Sequence, residues 1–204
     1  MIELMYKGGP IMWPLLACSM VTLAIVFERL WFWIGVALKQ NQKLVSRIFT
    51  LTEEGDFETA ITEGQSSSCL ICRILAGGLA HLDYGLVQSL QAAAMQEIER
   101  MKRHLSVLDT IITLAPLLGI LGTVAGIIVS FDLLGEAGIE DPKAVTGGIA
   151  QALITTAAGL SIAIITLLPY NALTRKVEKV TRDLEQRVTL YEVTVQKGIG
   201  NKCS

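Results

Sequence analysis

Three stretches of the chain carry no Asp, Glu, Lys, Arg or His: Gly8–Phe27, Thr110–Phe131 and Ala144–Thr174, of 20, 22 and 31 residues. A helix that crosses a bilayer needs about 20 mostly apolar residues and satisfies its own backbone hydrogen bonds. All three stretches are long enough. The expectation is an all-α integral membrane protein with three transmembrane helices. Charged residues make up 18% of the chain, against about 25% in soluble proteins, which argues against a soluble enzyme. A net charge of −2 with no dense basic run also argues against nucleic-acid binding.

Three spans put the two ends of the chain on opposite sides of the membrane, and Lys and Arg decide which is which. The N-terminal tail holds one basic residue (Lys7), and the Leu133–Lys143 connection holds Lys143 against Glu136, Glu140 and Asp141. The segment Lys39–Asp109 holds seven, and the tail after Thr174 holds another seven. The N-terminus is therefore expected outside, with the middle segment and the C-terminus in the cytoplasm. Trp13 and Trp31 are 18 residues apart, about 27 Å of helix, which suits the two interfacial aromatic belts. Glu28 and Arg29 then fall near the inner interface, where an arginine can snorkel.

The first span has competitors. A cleaved signal peptide wants a basic start and a short apolar core. Here Glu3 and Lys7 mark the start, and the apolar stretch runs to Leu38 apart from Glu28 and Arg29. Leu15-Leu16-Ala17-Cys18 superficially resembles a lipoprotein cleavage box, but nine more uncharged residues follow Cys18. A retained helix is the expectation, with Cys18 as a small packing residue.

Residues 39–109 show no strand-like alternation. Glu53-Glu54-Gly55-Asp56 reads as a turn, and Glu63 through Ser68 as a polar linker whose hydroxyls cap a following helix. From Gly85, an apolar stripe of Val87, Leu90, Ala94, Ile98, Met101, Leu105 and Leu108 has helical spacing. No breaker precedes Pro116, so this helix is expected to run directly into the second span. Leu173, Val177, Val180, Leu184, Val188, Tyr191 and Val195 make the same stripe after the third. The expected organisation is 1–38, periplasmic N-terminus and first span; 39–109, cytoplasmic helices; 110–134, second span; 135–143, periplasmic loop; 144–174, third span; and 175–204, cytoplasmic helix and tail.

Catalytic and cofactor chemistry finds little here. Cys69-x-x-Cys72 has no second pair or His pair at zinc spacing. It reads as two reduced cysteines, or as a redox pair if a helix N-terminus stabilises a thiolate. His81 and His104 are isolated and read as surface or packing residues. No phosphate loop occurs. The expectation is no enzyme, no metal and no cofactor.

The second span carries Gly119, Thr123, Gly126 and Ser130 on one face. The third carries Gly148, Ala152, Thr155, Gly159, Ala163 and Thr166, with Gln151 and Thr156 beside them. Small residues let helices approach closely, and hydroxyls bond across the interface. Helix packing explains Gly119, Gly126, Gly148 and Gly159. Thr123, Gln151, Thr155 and Thr156 are candidates for lining an ion pathway. The stretches Thr110–Phe131 and Ala144–Thr174 hold no Asp, Glu, Lys, Arg or His, and Asp109 and Asp132 flank the first of them. A carboxylate that carries ions inside the membrane has to come from another protein.

Ala115-Pro116-Leu117-Leu118-Gly119-Ile120-Leu121-Gly122-Thr123-Val124 followed by Gly126 resembles the second-helix signature of the ExbB/TolQ/MotA family. Gly148 through Leu160, then Ala163-Ile164 and Tyr170-Asn171, resembles its third-helix signature. Glu28-Arg29-Leu30 matches at the inner end of the first helix. The likeness runs from about residue 10 to 195, and three spans resemble the ExbB/TolQ branch. The resemblance implies a proton-driven motor in the bacterial inner membrane. Five such subunits form a ring around a dimer of a single-span partner, ExbD or TolR, which carries the membrane Asp. It implies ExbB-like energising of outer-membrane transport through a TonB-like protein, or a TolQ-like role in envelope maintenance with a TolA-like protein. A non-conducting scaffold is the rival outside the family. Thr123 and Thr156 match threonines along the family's ion path, whereas Gln151 departs from the Glu that ExbB and TolQ proteins usually carry.

Overall fold

The computed structural model describes residues 8–38, 41–81, 85–137 and 142–202. Among these residues the ordered elements are helices, with no strand: α1 Met12–Leu38, α2 Gln42–Glu53, α3 Phe57–Ser66, α4 Leu70–Leu79, α5 Leu86–Lys102, α6 Leu105–Ala137 and α7 Pro142–Lys202. Lys7, Lys39, Glu140 and Asp141 lie outside the described residues, as do 138–141 of the connection expected at 135–143, whose two ends belong to α6 and α7. Three helical stretches are long and apolar enough to cross a membrane: Met12–Val36, Leu86–Gly135 and Thr146–Val195. Pro116 and Pro169 sit inside α6 and α7, a placement that spanning helices tolerate.

The chain divides into two units. The first comprises Met1–Glu28 and His104–Leu173. Its core joins the start of α1 to α6 and α7 through Met12, Leu15, Ile111 and Ala115, with Leu118, Ile154, Ala158 and Ile162 packed around them. Away from this seam the apolar side chains face outward: Phe27, Leu117, Leu153 and Ile164 are each more than half exposed. So much outward hydrocarbon suits lipid, not water.

The second unit comprises Arg29–Arg103 and Thr174–Ser204. Helix α4 lies at its centre, with Ile71, Cys72, Ile74, Leu75, Ala76, Gly78 and Leu79 buried. Both predicted stripes face inward. Leu90 and Met101 are fully buried on α5, as are Val177, Leu184, Tyr191 and Val195 on α7. The Tyr191 hydroxyl lies 2.7 Å from Thr52 Oγ1, and its ring meets Phe49 edge-on.

Two expectations need correction. The expected linker at Glu63–Ser68 is mostly the last turn of α3, and no hydroxyl caps α4, although Ser67 Oγ accepts from the Cys69 N–H at 2.9 Å. The helix leading to the second span is not continuous. It ends at Lys102 and restarts at Leu105, with Arg103 extended and His104 at φ 64°. Helix α7, in contrast, runs unbroken for 61 residues.

Candidate functional site

Helices α6 and α7 meet along the small residues of the spans. A Cβ added to Gly159 would strike the Ala115 carbonyl oxygen and stand 3.2 Å from Gly119 Cα. A Cβ on Gly119 would lie 3.1 Å from Thr156 Cα, and one on Gly126 would lie 2.7 Å from the Gly148 carbonyl oxygen. Gly148 itself faces Ser130. At Gly119, Gly126, Gly148 and Gly159 a built Cβ lies within 3.2 Å of backbone atoms of the facing helix.

The expected ion-path residues do not gather on one lining. Thr156 Oγ1 donates to the Gly119 carbonyl at 3.1 Å, bridging α6 and α7. Thr155 is fully buried against Gly122, and its hydroxyl bonds the Ala152 carbonyl of its own helix at 2.9 Å. Both act at the interface of α6 and α7. Thr123 is only half-buried, with its hydroxyl bonded to the Ile120 carbonyl at 2.6 Å. It borders a groove of about 330 Å³ with Ile127, Ser130, Phe131, Ile149 and Leu153. The Gln151 amide packs against Gly9, at φ 71°, where a Cβ would collide with it. One pairing escaped the sequence reading: Thr22 and Thr166 share a buried hydrogen bond of 3.2 Å. The available signals were the hydroxyls of Ser19 and Thr22 within the first span.

Glu28 and Arg29 take structural positions. Arg29 was expected to snorkel. Instead it is 3% exposed, and its Nη1 donates to the carbonyls of Arg100 at 3.0 Å and Met101 at 3.5 Å. These are among the last carbonyls of α5, which have no partner within the helix. The guanidinium also lies 4.8 Å over the Phe32 ring. Glu28 Oε2 is 2.8 Å from His104 Nδ1. His104 is thus an anchoring residue, whereas His81 is exposed.

Cys69 and Cys72 are buried together at the start of α4. A hydrogen bond from the Cys72 thiol holds Cys69 well below the ordinary thiol range, against the opposing effect of burial. The same bond, together with burial, pushes Cys72 up. Among the described residues no three His, Cys, Asp or Glu side chains converge as a metal site.

The model of the MotA/TolQ/ExbB proton channel family matches residues 70–186. The ExbB-like 1 protein of Synechocystis sp. is 37% identical over 173 residues, covering 82% of this chain and 68% of the relative. ExbB-like 3 of the same organism is 34% identical over 168 residues, 79% of each chain. The Tol-Pal system protein TolQ of Haemophilus influenzae is 35% identical over 99 residues, 48% of this chain and 43% of the relative. With three helices of spanning length, this is a multi-pass membrane protein. The chain belongs to the MotA/TolQ/ExbB proton channel family, on its ExbB/TolQ branch.

Proposed function

We propose that the chain is a subunit of an ion-motive-force motor in the bacterial inner membrane, working in ExbB fashion within a homopentameric ring. The N-terminus is periplasmic and the C-terminus cytoplasmic, as the distribution of Lys and Arg favours. The observation that carries the reading is the combination of the Thr123 groove with two stretches, Thr110–Phe131 and Ala144–Thr174, that hold no Asp, Glu, Lys, Arg or His. A groove walled by Ile127, Phe131, Ile149 and Leu153 suits an apolar helix, and a hydroxyl at its border suits a polar group on that helix. The partner is a single-span protein of ExbD or TolR type, and its membrane Asp supplies the carboxylate that this chain lacks. The complex energises a TonB-like protein for transport across the outer membrane.

The TolQ likeness supports the neighbouring reading, envelope maintenance through a TolA-like protein. A non-conducting scaffold draws support from Thr155 and Thr156, whose hydroxyls are already bonded at the helix interface. Purification in mild detergent separates the motor from the scaffold. The motor co-purifies with a single-span protein bearing a membrane Asp, and its absence from intact complexes overturns the reading.

A further inference from the structure

A cavity of about 390 Å³ lies in the second unit and shares no lining residue with the Thr123 groove. Trp31 and Phe32, near the end of the first candidate span, form one wall. Ser68, Arg73, Glu97 and Arg100 form the polar side. Arg73 Nη2 lies 2.8 Å from Glu97 Oε1, and Arg100 Nη1 lies 3.6 Å from the same oxygen. Two guanidinium groups therefore share one carboxylate, which leaves a surplus positive charge. Arg73 Nε is a buried donor with no acceptor among the described residues. On the adjoining face of α1, Leu30, Trp31 and Ile34 are each at least half exposed.

We propose that this cavity binds the phosphodiester headgroup of an anionic phospholipid, with its acyl chains along Leu30, Trp31 and Ile34. Guanidinium groups recognise phosphate oxygens through paired, charge-assisted hydrogen bonds, and basic pockets at the ends of spans select anionic headgroups. The phosphate neutralises the surplus charge of the two guanidinium groups that share Glu97. A zwitterionic lipid gains less, because Glu97 is already shared by two arginines and is poorly placed to receive a choline. Inorganic phosphate meets the same guanidiniums but leaves the apolar face of α1 uncovered. The proposal rests on membrane residence and not on the motor reading, so its failure leaves that reading standing.

The test is native mass spectrometry of the full chain in mild detergent, titrated with dioctanoylphosphatidylglycerol, dioctanoylphosphatidylcholine or inorganic phosphate. One phosphatidylglycerol per chain binds about tenfold more tightly than phosphatidylcholine, and Arg73→Gln removes about tenfold. Glu97→Gln adds one positive charge to the cavity and tightens binding. Arg47→Gln removes an equal charge from the exposed Arg47–Glu63 pair, outside the cavity, and changes nothing. Equal retention of the two lipids overturns the proposal. Displacement of the lipid by millimolar inorganic phosphate also overturns it, because that marks a soluble-anion site. If Arg73→Gln loses its helicity, Glu97→Gln decides: unchanged or weaker binding there overturns the proposal.

Discussion

At Gly159 the packing of α6 against α7 leaves no room for a methyl group, because the nearest atoms are the backbone of Ala115 and Gly119. Backbone cannot rotate aside as a side chain can, so Gly159→Ala is expected to push the helices apart and cost about 1–3 kcal/mol. Gly35 is the control. Nothing lies within 4 Å of a Cβ built there, and Gly35→Ala should be neutral or stabilise α1 by up to about 1 kcal/mol. Thermal melting of both variants in detergent checks the contrast, and equal shifts would show that the glycine seam does not set the packing. The cysteine pair gives a pH-dependent prediction. Cys69 ionises more readily than a free thiol because Cys72 donates to it. Between its lowered value and the ordinary one the unfolded chain binds more protons than the folded chain. Stability from this group therefore rises with pH across that window and is lost as pH falls through the lowered value. Thiolate absorbance should titrate well below the ordinary thiol range, and Cys72→Ala should move that step upward. A step at the ordinary value in the parent chain would contradict the hydrogen bond.

Among the elements, the break between α5 and α6 is the feature that local pattern could not reveal. The apolar stripe crosses it without losing phase: Met101, Leu105 and Leu108 are all buried. Periodicity alone therefore reads one helix. What ends α5 comes from a helix some seventy residues earlier, as Arg29 reaches the carbonyls of Arg100 and Met101. Arg29→Gln removes a charged donor from those carbonyls and should cost about 1.5–3 kcal/mol. Faster hydrogen exchange should appear in the last turn of α5 before any change in α4. Uniform exchange throughout would assign Arg29 to general packing. The spans and both stripes were legible because burial against one partner repeats at helical spacing. The separate places of Thr123, Gln151 and Thr155 were not, because a shared helical face does not say which side chain meets the neighbouring helix and which faces the groove.

For the whole molecule, the distribution of charge becomes a statement about work. One elementary charge crossing 100 mV releases about 2.3 kcal/mol, enough to bias a contact between two helices but not to unfold one. Coupling that quantum to motion needs a group that binds and releases the ion inside the membrane. Thr110–Phe131 and Ala144–Thr174 contain no such group. Thr155 and Thr156 already spend their hydroxyls on carbonyls, so they are poor substitutes for a carboxylate. The chain reconstituted alone into liposomes should therefore leave an imposed proton gradient intact. Adding a single-span protein of the proposed ExbD or TolR type should allow the gradient to dissipate, and changing its membrane Asp to Asn should restore the barrier. Dissipation by this chain alone, at a rate the partner does not raise, would mean that hydroxyls and water suffice. The partner would then be a load on the motor and not its ion carrier.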